Sequence, residues 1–165
     1  MDTETTDSKT WGVLATVEKW HSEADFLAGL EPDDVVSVPD NLLLNDGITL
    51  LLNLLCGLGG TAYSSGNAYI GVGDSSTTAS ATQDALQASS NKSFKGMESS
   101  YPSVSGQTAT FRSIWASGEG NHAWNEWSIS NSNSDSGTNL NRKVASLGTK
   151  ASGSSWTLTV TITVS

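Results

Sequence analysis

Between Trp156 and Val164 apolar and polar residues alternate without a break. Trp156, Leu158, Val160, Ile162 and Val164 fall on one side, and Thr157, Thr159, Thr161 and Thr163 on the other. Side chains in a strand alternate with period two, so this segment is predicted as a strand with one buried and one wet face. Its β-branched and aromatic residues suit that conformation. Weaker versions of the same pattern precede it. Residues 107–115 place Ala109, Phe111, Ser113 and Trp115 on one face. Residues 68–73 and 93–98 read as strands, and residues 123–129 as another with Trp127 and Ile129 inward and Trp124 and Glu126 opposite. Leu140, Arg142 and Val144 share a face of the next. Gly, Ser and Asn clusters separate these runs. The fold predicted is mainly β, an antiparallel β-sandwich of jelly-roll-like character.

Two stretches break the strand pattern. Ile48 to Cys56 is mostly leucine after Asn45-Asp46-Gly47, and Gly57 follows as a helix stop, which predicts a short apolar helix over residues 46–56. Such a helix is apolar nearly all round and needs cover on most sides. Ser22-Glu23-Ala24-Asp25 has the form of a capping box ahead of Phe26-Leu27-Ala28, with Gly29 as its stop. Trp11 to Trp20 fits a helix and a strand equally poorly, and Val35 to Val38 reads as extended. The expected organisation is an acidic N-terminal arm over residues 1–40 and a β-sandwich body over residues 41–165 that includes the helix at 46–56.

Charge sharpens that division. The 165 residues carry a net charge of −9, and only 15% of them are charged. Residues 1–40 hold ten acids and two bases, whereas residues 41–165 hold seven acids and six bases. Asymmetry of this kind is the mark of a solvated leader or an interaction arm. It argues against nucleic acid as a partner, because phosphate contacts need clustered Lys and Arg, and Arg142-Lys143 is the nearest approach to a cluster. Met1 is followed by Asp2, Glu4 and Asp7 instead of the bases and apolar run of a secretory signal. The run from Ile48 to Leu58 is too short to span a membrane, so no membrane partner is expected.

Candidate chemistry is sparse. Cys56 is the single cysteine, so no intrachain disulfide is possible, and its leucine-rich setting predicts a buried, inert thiol. His21 and His122 are the only histidines, too few and too far apart in sequence for a zinc site. Glu119 and Glu126 have the residue types of a glycosidase pair, but an acid pair alone is weak evidence and solvated turn and strand-face positions account for them better. Gly71-Val72-Gly73 lacks the third glycine of a dinucleotide loop and the lysine of a P-loop. Asp74 in GDSST lacks the alternating acids of a calcium loop. The expectation is therefore no enzyme, no catalytic residue, no metal and no cofactor. Trp124 and Trp127, three apart in WNEW, are expected on opposite faces, with Trp124 available as a binding aromatic.

From residue 41 onward the chain resembles a family of small structural proteins of tailed bacteriophages. The blocks that carry the resemblance are NLLLNDGITLLLNLLCGLGG, YIGVGDSSTTASATQDALQ, FRSIWASGEGNHAWNEWSISN and NLNRKVASLGTKASGSSWTLTVTITVS. The resemblance implies a virion protein with a β-sandwich body, used either as capsid decoration (cement) or in a tail part. The expected function is binding to the outer surface of the major capsid shell, as a trimer, with the virion surface as its location. The alternative is a tail-fibre or baseplate module that contacts host-surface carbohydrate through a Trp of WNEW or the loop 130–138. Residues 1–40, fully extended, would reach on the order of 130 Å across neighbouring subunits. The interface is expected at Trp11, Trp20, Phe26, Leu51, Leu55 and Trp124.

Overall fold

A computed structural model describes residues 10–165. Its ten strands form two five-stranded antiparallel sheets, ordered β2-β1-β10-β7-β6 and β3-β9-β8-β4-β5. In chain order the elements are β1 (Trp11–Trp20), α1 (Glu23–Leu27), β2 (Asp34–Pro39), β3 (Leu42–Leu43), α2 (Asn45–Leu55), β4 (Tyr69–Gly73), β5 (Lys92–Gly96), β6 (Ser103–Ser105), β7 (Thr108–Trp115), β8 (Ala123–Ser130), β9 (Asn141–Thr149) and β10 (Ser155–Val164). The sheets face each other as a sandwich. Their shared core draws Val13, Ala15, Val17, Phe111, Leu158, Val160 and Ile162 from the first sheet, and Ile70, Val72, Trp127, Ile129 and Leu147 from the second.

The alternation in β10 is read out as expected, and the strand lies at the centre of its sheet. Val160 lies opposite Ala15 on β1 and Phe111 on β7, while Leu158 lies opposite Val17 and Ser113. Every inward side chain from Trp156 to Ile162 is buried.

The arm expected over residues 1–40 is corrected from Trp11 onward. All ten residues of β1 pair with β10, from Trp11 opposite Val164 to Trp20 opposite Ser155. β2 then adds to the free edge of β1, with Val36 opposite Val17 and Val38 opposite Ala15. The physical reason lies in the apolar positions of β1, where Val13, Ala15 and Val17 alternate and are buried. Leu14 and Trp20 fall out of phase with that period of two and mask it in the sequence. The body of the molecule therefore begins at β1, and the expectation for residues 1–9 lies outside the described residues.

α1 starts as its sequence predicts, with Ser22 capping: its hydroxyl accepts from the Ala24 N–H at 3.1 Å. α2 differs from expectation in its burial. Only Gly47 and Leu50 are buried. Gly47 sits so close to the chain at Leu140 that an added Cβ would lie 2.5 Å from the Leu140 carbonyl oxygen. Glycine is thus what lets α2 lie flat on that segment. Cys56, expected inside, is exposed at the end of this helix.

Candidate functional site

The expected interface residues scatter into different environments. Trp124 is fully buried, which corrects its assignment as an exposed aromatic. Its ring packs edge-to-face on Trp115 at 4.8 Å and on Trp156 at 4.9 Å, and its indole N–H donates to the Gly120 carbonyl at 2.9 Å. The pairing of β8 with β9 shifts register between Trp124 and Glu126. That irregularity breaks the alternation, so Trp124 and Trp127 both enter the inter-sheet core. Trp20 is also corrected. It is buried, donates to the Leu30 carbonyl at 2.7 Å and packs against Phe26 at 5.0 Å, so these two residues hold α1 to the sheet. Trp11 and Leu51 are half-buried and line one apolar cleft of about 360 Å³ with Tyr63, Val104, Phe111 and Ile162. Burial pushes the Tyr63 hydroxyl well above the ordinary tyrosine range. Leu55 is 81% exposed.

The two carboxylates weighed as a glycosidase pair are each committed to a cation. Glu126 and Arg142 form a fully buried ion pair, Nε to Oε2 at 2.6 Å. The Glu126 carboxylate also accepts from the N–H groups of Gln87 at 3.0 Å and Ala88 at 2.7 Å. Arg142 donates its remaining groups to the Gln83 side-chain oxygen at 3.0 Å and the Thr77 carbonyl at 2.9 Å. Asn125 donates to the Asp74 carbonyl, and Asn139 to that of Asp84, each at 3.0 Å. The long segment 74–91 is therefore fastened to the outer face of the second sheet by side chains of WNEW and NLNR. A buried charge without a partner is expensive, and here each charge is paired with the other and hydrogen-bonded twice more to this segment.

Gly71 and Gly73 complete the clasp. Ile70 and Val72 point into the core, which leaves the two glycines on the outer face of β4. A Cβ on Gly71 would lie 2.9 Å from Leu86, and one on Gly73 would lie 2.9 Å from Ala88. Leu86 and Ala88 are buried there. The Gly-Val-Gly motif clears space for this segment of the protein's own chain.

Glu119 occupies the end of the sandwich near α1. Burial pushes its carboxyl up. The two contacts from Lys95 Nζ, at 2.5 and 2.6 Å, and the N–H of Ala116 outweigh that and hold it below the ordinary range. Glu23 is likewise held low, by the hydroxyl and the N–H of Ser117. Nearby, Lys150 is buried, and its ammonium donates to the Ala116 carbonyl, the Asn121 side chain and the Ser154 carbonyl at 2.8 to 2.9 Å. Burial lowers its pKa, offset in part by the charges of Glu119 and Glu23. Three acceptors at these distances suit a structural ammonium that ties the β7–β8 and β9–β10 connections together.

His21 is exposed, 3.6 Å from Asp33, and the His122 ring contacts the Ala123 carbonyl at 2.9 Å. Among the described residues no three His, Cys, Asp or Glu side chains gather where they could hold a metal ion. No helix among them is long and apolar enough to cross a membrane.

Two further surfaces are open. The outer face of the first sheet carries hydroxyls in register: Thr159 lies opposite Thr16, Thr161 opposite Thr110, and Thr163 opposite Thr108. Some bond across strands, as Thr108 to Thr163 at 2.9 Å and Thr16 to Ser37 at 3.0 Å. The second open surface is the outer stripe of α2, with Ile48, Leu52 and Leu55, continued by Leu58. No protein-family model, no curated protein and no solved structure matches this chain.

Proposed function

We propose that this chain is a capsid decoration protein of a tailed bacteriophage, which binds the outer surface of the major capsid shell as a trimer and stabilises it. The observation that carries the reading is the Glu126–Arg142 clasp. The blocks that resemble phage structural proteins contain the residues that lock segment 74–91 onto the sheet. Their polar side chains act on the protein's own loop, as a module selected for rigidity and surface shape requires. A reading in which Glu126 works as an acid or base would need it free to meet a substrate, and it is fully enclosed. A rigid module that binds only the assembled shell stabilises that shell by mass action, with no chemical step.

The test is quantitative protein mass spectrometry of purified particles, together with thermal disruption of shells with and without the protein. Copies in the hundreds per particle and a raised disruption temperature are the expected results. A handful of copies would move the protein to the tail, and absence from the particle would remove the proposal altogether. The carbohydrate-contacting alternative has lost its best aromatic, because Trp124 lies in the core.

A further inference from the structure

We propose that Lys150 and Asn121 join covalently, through an amide bond from Lys150 Nζ to Asn121 Cγ that forms with loss of ammonia. Lys150 is 1% exposed, and its ammonium meets three acceptors: the Ala116 and Ser154 carbonyls and the Asn121 side-chain oxygen. All three are neutral. Lys19, Lys92 and Lys95, by contrast, each contact a carboxylate, that of Asp34, Asp135 and Glu119 respectively. Lys150 is thus a buried charge whose contacts bring no counter-charge, a costly state that amide formation abolishes.

The two groups face each other as a nucleophile and a carbonyl. Nζ lies 2.9 Å from Asn121 Oδ1. With a C=O bond of about 1.23 Å, Cγ is then roughly 3–4 Å from Nζ, which overlaps the range from which attack begins. Both residues are held in place. The Asn121 side-chain N–H donates to the Ser117 carbonyl at 3.0 Å, and the Lys150 backbone N–H donates to the His122 carbonyl at 3.1 Å. Trp124 fixes the same turn by donating to the Gly120 carbonyl at 2.9 Å. Holding the two groups together in this way replaces a collision with an intramolecular step.

An ammonium has no lone pair and cannot attack. Burial lowers the Lys150 pKa, which raises the share of neutral amine. A neutral amine keeps two N–H groups, enough for the Ala116 and Ser154 carbonyls. Its lone pair then takes the third direction, towards Asn121. Glu119 and Glu23, whose charges act on Lys150, are bases that can accept its proton and pass it on. The Nζ–Cγ bond forms and the Cγ–Nδ2 bond breaks. The two protons that Nζ gives up leave on the departing nitrogen, as an ammonium ion. No oxidant or other reagent is consumed. Asn121 is exposed, which opens a path for that ion to solvent while the amine stays enclosed. The product ties the β7–β8 connection to the β9–β10 connection by a bond that survives unfolding.

Intact mass and a tryptic map of the purified full chain test the bond. Wild type is expected to be lighter than its sequence mass by one ammonia. Its map should hold a branched peptide, with residues 113–142 joined to the fragment that begins at Val144 and no cleavage after Lys150. Asn121→Ala, at an exposed position, and Lys150→Arg should each show the full mass of their sequence and no branched peptide. A wild-type chain at its full sequence mass, cut by trypsin after Lys150, overturns the inference. So does a loss of ammonia that leaves Lys150 open to trypsin, as a cyclic imide at Asn121 would. Neither wild-type result depends on a variant that folds. The bond forms within one chain, so either result leaves the decoration reading where it stands.

Discussion

The two sheets treat their outer faces in opposite ways. On the second sheet, segment 74–91 covers β4, β8 and β9, held by a fully buried ion pair and seated on Gly71 and Gly73. On the first sheet, the outer face of β10 and its neighbours presents threonines and serines, many bonding one another or facing solvent, with a part-exposed cluster of Arg112, Glu18 and Glu98 beside Thr157. Both solve the same problem, since a sandwich packs one face of each sheet and must do something with the other. The clasped face concentrates its stability in a few groups that depend on one another. The open face spreads small contributions over many. The difference teaches where this chain is vulnerable to substitution, and where it tolerates contact with something else.

Substitutions can break that contrast in order of size. Glu126→Leu leaves Arg142 buried and unpaired, and is expected to cost about 3–5 kcal/mol of unfolding free energy in urea titration. The double variant with Arg142→Met should cost less than either single change, because an apolar pair carries no unmet charge. Costs that simply add would mean that the two side chains act independently and that no clasp exists. Next in size, Gly73→Ala puts a methyl 2.9 Å from Ala88 and 2.5 Å from Glu126 Oε1. Overpacking of this kind should cost about 1–3 kcal/mol and loosen segment 74–91, read as faster amide exchange at Gln87 and Ala88.

Acidification should act more weakly, and away from both faces. The Glu23, Asp34 and Glu119 carboxyls all sit below their ordinary values in the folded protein. For Asp34 the cause is the hydrogen bond and charge of Lys19, 2.7 Å away. A depressed carboxyl contributes stability above its unfolded value and loses it as pH falls towards the folded one. The unfolding midpoint should therefore hold from pH 7 down to about 4.5, the ordinary value for Glu, and decline below it. A midpoint that stays flat to pH 3 would contradict those contacts. The smallest effect is expected on the open face: Thr159→Val keeps the branched shape there and should change stability by no more than ~0.5 kcal/mol. A loss of several kcal/mol would show that this face is as interdependent as the clasped one.

Much of the sandwich was legible in the sequence because period two survives wherever one sheet face is buried and the other is wet. β10 and β7 meet that condition, and so their faces were read correctly. β8 does not. Segment 74–91 covers its outer side, so Glu126 and Ser128 are as buried as Trp127 and Ile129. The shift in register at Trp124 then moves that ring to the side opposite the one that simple alternation assigns. β1 is harder to read because Leu14 and Trp20 fall out of phase with Trp11, Val13, Ala15 and Val17, so neither a period of two nor one of 3.6 stands out. The clasp itself had only one visible sign, an acid in WNEW and a base in NLNR, each on a strand. Nothing local links Glu126 to Arg142, or either of them to Gln83 and Thr77. By contrast, the stripe on α2 was readable as an excess of leucine, and the open question was only which of those leucines would be left outside.

The pairing of β1 with β10 also sets an order in time. Glu18 and Thr157, joined across these strands, lie 139 positions apart. At about 5–20 residues per second, a ribosome needs roughly seven to thirty seconds to make the stretch between them. Until β10 is made, β1 lacks the strand that pairs with all ten of its residues, and one of its backbone edges stays open. The second sheet has all its strands before then. The first is completed only when β10 arrives between β1 and β7, so the strand at the centre of that sheet is the last one made.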